Sequence, residues 1–92
     1  MIIRILGEGQ FDVPAAEVDG LNDLDAAVEK AIAAGDEAAF APALAALLDR
    51  VRSSGTPTAD DSLLTSEALL PHAEARLAEA RDLLHDDGLI PG

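Results

Sequence analysis

The apolar positions along this chain change period after Val13, and the change separates its first two kinds of element. Ile2-Ile3-Arg4-Ile5-Leu6 and Gln10-Phe11-Asp12-Val13 are short runs rich in β-branched and aromatic residues, and they flank Gly7-Glu8-Gly9. That arrangement is the signature of a β-hairpin over residues 2–13. A three-residue loop at Gly7-Glu8-Gly9 sets Leu6 opposite Gln10, Ile5 opposite Phe11, Ile3 opposite Val13 and Arg4 opposite Asp12. This register gathers four apolar side chains on one face and an opposite-charge pair on the other. A slip by one residue would set Arg4 against Val13 and break both pairings. A lone hairpin is marginal in water. Its apolar face needs cover.

Helical periods supply that cover. Pro14 ends the second strand, and its fixed φ suits a helix start. Val18, Leu21, Leu24, Val28 and Ile32 then recur at three- and four-residue steps and predict a helix over about residues 15–34. Glu17, Asp19, Asp23 and Asp25 crowd its early turns, where the macrodipole favours negative charge. Gly20 weakens the helix by about 1 kcal/mol relative to Ala. Gly35 suits a left-handed stop, and Asp36 caps a second helix predicted over about residues 37–54. The stripe of that helix is Phe40, Leu44, Leu47, Leu48 and Val51, and the short link makes the two helices antiparallel neighbours. Pro42 would clash with the Ala38 carbonyl in a helix starting at Glu37, so a kink or a delayed start is expected.

Beyond Gly55, residues Ser53 to Ser62 read as a polar surface loop. Leu63 to Leu70 is ambiguous between a helical turn and an extended segment. Pro71 biases Leu70 toward extended geometry, and a hairpin edge is open to pairing, so a short third strand is expected near Ala68-Leu69-Leu70. A third helix is predicted over about residues 73–86, with Ala73, Leu77, Ala80 and Leu84 inward and Glu74, Arg76, Glu79 and Arg81 outward. Arg76 and Glu79 are spaced to pair. Gly88 ends this helix, and Leu89-Ile90-Pro91-Gly92 follows as an apolar tail over residues 88–92. The fold class is α+β: an N-terminal β-hairpin with a short third strand, packed against an antiparallel helix pair and a C-terminal helix. No internal repeat and no second domain is visible, so residues 1–92 are expected to form one domain.

Composition narrows the chemistry. The 92 residues suit one small domain, which buries only about 60–65% of the surface its unfolded chain exposes. Phe11 and Phe40 are its only aromatics, so Leu, Ile, Val and Ala must make the core. Without cysteine there is neither a disulfide nor thiolate chemistry, which fits a reducing, cytoplasmic setting. Met1 leads directly into a strand with no basic or apolar leader, and no apolar run approaches the roughly 20 residues of a spanning helix. The chain is therefore expected to be soluble. Its net charge of −12, from 18 acidic residues against six basic ones, disfavours nucleic acid and anionic lipid and favours a basic protein partner. The alternative reading of that charge is solubility alone.

Candidate sites are few. Gly7-Glu8-Gly9 resembles a phosphate loop only superficially, because a third glycine is missing and a strand follows instead of a helix. His85-Asp86-Asp87 with His72 matches no established metal-ligand spacing, and a histidine near a helix C-terminus suits the dipole anyway. Asp60-Asp61 and the Asp19–Asp23 group lack the glycine and glutamate of a calcium loop and read as solvated charges. There is no Gly-x-Ser-x-Gly elbow, and neither histidine has an obvious serine and carboxylate partner. No catalytic, cofactor or metal residue is assigned, and no enzymatic activity is expected. A small hydrolase would need a pocket with convergent polar groups.

The two ends of the chain carry a family resemblance. Met1-Ile-Ile-Arg-Ile-Leu-Gly-Glu-Gly-Gln-Phe-Asp-Val13 and Asp86-Asp-Gly-Leu-Ile-Pro-Gly92 look like the paired hallmarks of the PspA-associated (PspAA) family. Leu21-Asn-Asp-Leu-Asp25, Gly35-Asp-Glu37 with Phe40, Val51-Arg52 followed by Gly55, and Leu69-Leu70-Pro71 also resemble its pattern. Pro42 departs from it, where a better helix former is expected. The resemblance implies a non-enzymatic partner of PspA, the membrane-remodelling phage-shock protein related to the ESCRT-III superfamily, acting in the response to envelope stress. The implied role is a cytoplasmic adaptor without a cofactor, recruited to the inner face of the membrane through its helical partner, without inserting into the membrane or binding nucleic acid. A regulatory or sensory module binding a transcription factor or membrane protein of the same operon is the alternative. The expected partner-binding residues are Gly7, Glu8, Gly9, Gln10, Gly88, Leu89, Ile90 and Pro91. At the hairpin, the rival reading is a turn that wants glycine whether or not anything binds it. The turn requires neither Glu8 nor Gln10, so replacing both with Ala is expected to leave thermal stability nearly unchanged.

Overall fold

The computed structural model describes residues 1–58 and 68–82, and its fold is α+β. In chain order the elements are β1 (Ile2–Ile5), β2 (Gly9–Asp12), a 3-10 turn (Ala15–Glu17), α1 (Val18–Ala34), α2 (Glu37–Ser54), β3 (Thr56–Thr58), β4 (Ala68–Leu70) and α3 (Leu77–Asp82). The strands form one sheet in the order β3-β2-β1-β4. β1 and β2 are antiparallel, and β4 joins the other edge of β1 in parallel, with Ile3 opposite Ala68 and Ile5 opposite Leu70.

The hairpin register differs from the expected one by two residues. Ile5 lies opposite Gly9, Arg4 opposite Gln10, Ile3 opposite Phe11 and Ile2 opposite Asp12. The loop is therefore Leu6-Gly7-Glu8 and not Gly7-Glu8-Gly9. Its geometry explains the shift: the Glu8 N–H donates to the Ile5 carbonyl at 3.0 Å, closing a four-residue turn with Gly7 third at φ 83°. A positive φ at that position is what a type II turn requires of its glycine. The ladder then runs on to Val13, whose N–H donates to the Met1 carbonyl at 2.8 Å. A two-residue shift keeps side-chain parity, so Ile3, Ile5, Phe11 and Val13 still share the buried face. The expected Arg4–Asp12 pairing is lost, and Leu6 leaves the ladder for the turn.

The helix pair covers that face. α1 buries Leu21, Val28, Ala31 and Ile32, and α2 buries Phe40, Leu44, Leu47, Leu48 and Val51, all in one cluster with the inner side chains of the sheet. Between the helices the chain reverses in a Schellman arrangement. Gly35, at φ 68°, donates to the Ile32 carbonyl and Asp36 donates to the Ala31 carbonyl. The Asp36 carboxylate then accepts the Ala39 N–H at 3.2 Å and caps α2. α2 starts at Glu37 and runs through Pro42, so the delayed start is not observed. Ala38 and Pro42 are both exposed, which leaves the Ala38 carbonyl near water in place of its missing backbone donor.

Two further expectations are corrected. Ser53–Ser62 is not simply a loop: Ser53 and Ser54 complete α2, and Thr56–Thr58 forms the edge strand β3 against β2. Pro57 is tolerated because an edge strand need not donate outward. The last helix begins at Leu77 and not at residue 73. Pro71 to Arg76 turn first, with the Ala75 N–H on the His72 carbonyl at 2.9 Å, so Ala73 is exposed while Ala75 is buried. Arg76 cannot cap with its own side chain. Instead both carboxylate oxygens of Glu37, in the first turn of α2, accept the Leu77 N–H at 3.2 Å, and α3 starts where that anion meets its N-terminus. Arg81 completes the docking by donating to the Ile32 carbonyl at 3.3 Å. Asp60-Asp61, Leu63 to Glu67, Leu84, His85-Asp86-Asp87 and the tail from Gly88 lie outside the described residues.

A close approach occurs at Gly55, which joins α2 to β3. A Cβ there would lie 2.8 Å from the Val51 carbonyl oxygen, 3.0 Å from Phe11 Cβ and 3.1 Å from Val13 Cγ2. Its backbone is extended (φ −93°, ψ 157°), so glycine is needed for space and not for a left-handed turn. Gly55→Ala is expected to push α2 away from β2 and cost about 1–3 kcal/mol. A lowered midpoint in urea denaturation checks this, and an unchanged midpoint would show that the contact relaxes freely.

Candidate functional site

The expected hairpin residues lie together at one end of the sheet, where the turn meets a second turn leading into α3. Leu6, Gly7 and Glu8 face His72, Ala73 and Glu74 across an open pocket of about 280 Å³. Each wall has a cause. The Leu6 N–H donates to the Leu70 carbonyl at 3.0 Å, so the hairpin tip is tied to the end of β4 just before Pro71 turns the chain. The Glu79 carboxylate then holds the second turn: one oxygen lies 3.1 Å from His72 Nε2 and the other 3.5 Å from the Arg76 N–H. Glu79 therefore bonds His72 and backbone, not the Arg76 side chain as its spacing suggested.

Glu8 has a partner of its own. Arg52, near the end of α2, donates Nε to Glu8 Oε1 at 2.7 Å and Nη2 to Oε2 at 2.5 Å, while its Nη1 reaches Asp49 Oδ1 at 2.7 Å. This two-bonded fork fixes the tip of the hairpin to α2. The hydrogen bonds from Arg52 hold the Glu8 carboxyl below its ordinary pKa, with its charge adding to the effect and partial desolvation opposing it. The same contact raises Arg52. Gln10 is no surface residue either: only 4% of it is exposed, and it is engaged in an interaction within the fold.

Of the other expected site residues, Gly7 is exposed in the turn, and Gly9 is half-buried in the ladder opposite Ile5. Gly88, Leu89, Ile90 and Pro91 lie outside the described residues. Sequence reasoning missed Leu6, His72, Ala73 and Glu74 because the pocket depends on the true register and on the late start of α3. It also missed Asp25, which is 2% exposed and engaged in an interaction. A signal for that burial existed: residues 21, 25, 28 and 32 are spaced four, three and four apart, which puts Asp25 in mid-stripe.

A second depression, also about 280 Å³, runs between α1 and α2 and is lined by alanines including Ala27, Ala31 and Ala39, with Lys30 and Asp36 at its rim. Among the described residues no group of three or more His, Cys, Asp or Glu is placed to hold a metal ion. Among them, too, no helix is long and apolar enough to cross a membrane.

These contacts change what substitution at the hairpin should do. Glu8→Gln removes an ion pair only about one-third exposed on each side, which is expected to cost about 0.5–1 kcal/mol near neutral pH. Because folding depresses the Glu8 pKa, its contribution is present above the unfolded value and is lost as pH falls through the folded one. The gap between wild type and Glu8→Gln should therefore close in acid. Gln10→Ala empties a buried position and is expected to cost about 1–3 kcal/mol. The double Ala variant should melt several degrees below wild type, contrary to the expectation from sequence. Thermal melts across a pH series test all three.

No curated protein and no solved structure matches this chain. A family match does, and it spans residues 1–92, taking in the hairpin tip, the helix pair and the turn into α3 alike. Because it covers the whole chain, the chain belongs to the family described as PspA-Associated protein.

Proposed function

We propose that this chain is a non-enzymatic cytoplasmic adaptor that binds a PspA-type, ESCRT-III-related helical protein and modulates its membrane remodelling under envelope stress. The observation that carries the reading is the family match over residues 1–92, whose description names association with PspA. The charge of −12 supports it, because an acidic surface draws in a basic partner and holds off nucleic acid and anionic lipid. An adaptor of this kind reaches the inner face of the membrane through its partner. Complementary charge governs encounter rate and specificity, and apolar contact holds the complex once it is formed.

Co-elution of the purified chain with its cognate PspA by size exclusion tests the proposal. A stable complex is expected at low salt. It should weaken as ionic strength rises from roughly 0.1 M to 1 M, since the Debye length falls from about 10 Å to 3 Å. Absence of a complex at low salt would remove direct binding. A pull-down from cells in which a transcription factor or membrane protein dominates would favour a regulatory module instead.

A further inference from the structure

We infer that the pocket at the hairpin tip is where the partner docks, and that its occupant is a basic segment presenting a Lys or Arg beside an aliphatic side chain, received by Glu74 and Leu6. The inference rests on the proposed association with PspA and assigns that association a surface and a chemistry.

Leu6 is the first support. It is 38% exposed, and among the described residues no other large apolar side chain is left open to this degree. The turn does not ask for it. The second position of such a turn accepts most residues, and polar ones or proline suit it well. Nor is Leu6 loosely held, because hydrogen bonds on its own N–H and on that of Glu8 fix the backbone on both sides. An apolar side chain is thus presented on a rigid support, which lowers the ordering cost of contact.

Charge gives the occupant its sign. Two carboxylates line the pocket, Glu8 and Glu74, and a third, Glu79, bonds the lining His72. Glu8 is held by the Arg52 fork, and Glu79 faces the His72 ring. Glu74 lines the pocket, is exposed, and pairs with no cation of the described residues. Glu8 therefore stiffens the tip, and Glu74 remains to meet a cation from outside. A pocket of about 280 Å³ is at or below the small end of ligand sites and suits one or two side chains better than a cofactor. The groove between α1 and α2 makes no comparable choice, because Lys30 and Asp36 on its rim are of opposite sign.

The test uses the full chain titrated with its cognate PspA at low salt. Leu6→Ala and Glu74→Lys are each expected to weaken binding about tenfold or more. Glu74→Lys should leave the melting temperature unchanged, because that side chain is exposed. Ala39→Glu, placed in the helix groove next to the Asp36 cap, should bind as wild type does. If Ala39→Glu abolished binding while Leu6→Ala and Glu74→Lys had no effect, the helix groove would be the interface and this site would be wrong, with the association with PspA intact. Loss of a self-associated form in the Leu6 and Glu74 variants, with PspA affinity unchanged, would reassign the pocket to a second copy of this chain. If the wild-type chain failed to bind PspA, the proposed function itself would fall, and the site with it.

Discussion

The fold rests on covering one face of a small sheet. Ile3, Ile5, Phe11 and Val13 give that face its apolar side chains, and Ala68 and Leu70 widen it from β4. None of these strands exceeds four residues, and the hairpin at the sheet's centre, marginal alone, gains stability by added strands and by packing its apolar face on the helices. α2 supplies an opposing surface through Phe40, Leu44, Leu47, Leu48 and Val51. Its approach is close enough that a Cβ at Gly55, where the chain leaves it, would crowd Phe11 and Val13. Everything outside this layer is placed by it: β3 lies along β2 because α2 ends there, and α3 begins where Glu37 offers its carboxylate.

Scarce positive charge is used to tie elements together. Arg50 of α2 pairs with Glu17 in the 3-10 turn ahead of α1 at 2.6 Å, Arg52 joins the hairpin to α2, and Arg81 meets the last turn of α1. Each is worth little alone at its exposure, yet each spans elements distant in sequence. Three of the six basic residues are thus engaged internally in a chain of net charge −12. The outer surface is left to carboxylates such as Glu74, which is the electrostatic ground for proposing a basic partner.

The elements were legible because their signals are local. Apolar spacing at three and four residues marked the long helices, Gly35 and Asp36 marked their junction, and Pro71 pointed to an extended Ala68-Leu69-Leu70. The register was only half legible. Parity fixes which side chains turn inward, and a two-residue shift leaves parity intact, so alternation could not choose between loops centred on Glu8 and on Gly7. Thr56–Thr58 is too short to show a period and carries Pro57, and it becomes a strand only because β2 offers a free edge.

By itself, then, the sequence determined the α+β class, the inward residues of each long element and the acidic character of the surface, all consequences of spacing and composition along the chain. The tertiary structure decided what depends on contacts between distant residues. Arg52 reaches back 44 positions to engage Glu8, and Glu37 reaches forward 40 to start α3. Glu8 became structural through the first of those contacts and Gln10 through burial in the sheet, and Leu6 and Glu74 came to line the pocket. No periodicity records such meetings, because hydrogen-bond geometry between elements is set only once the core has brought them together.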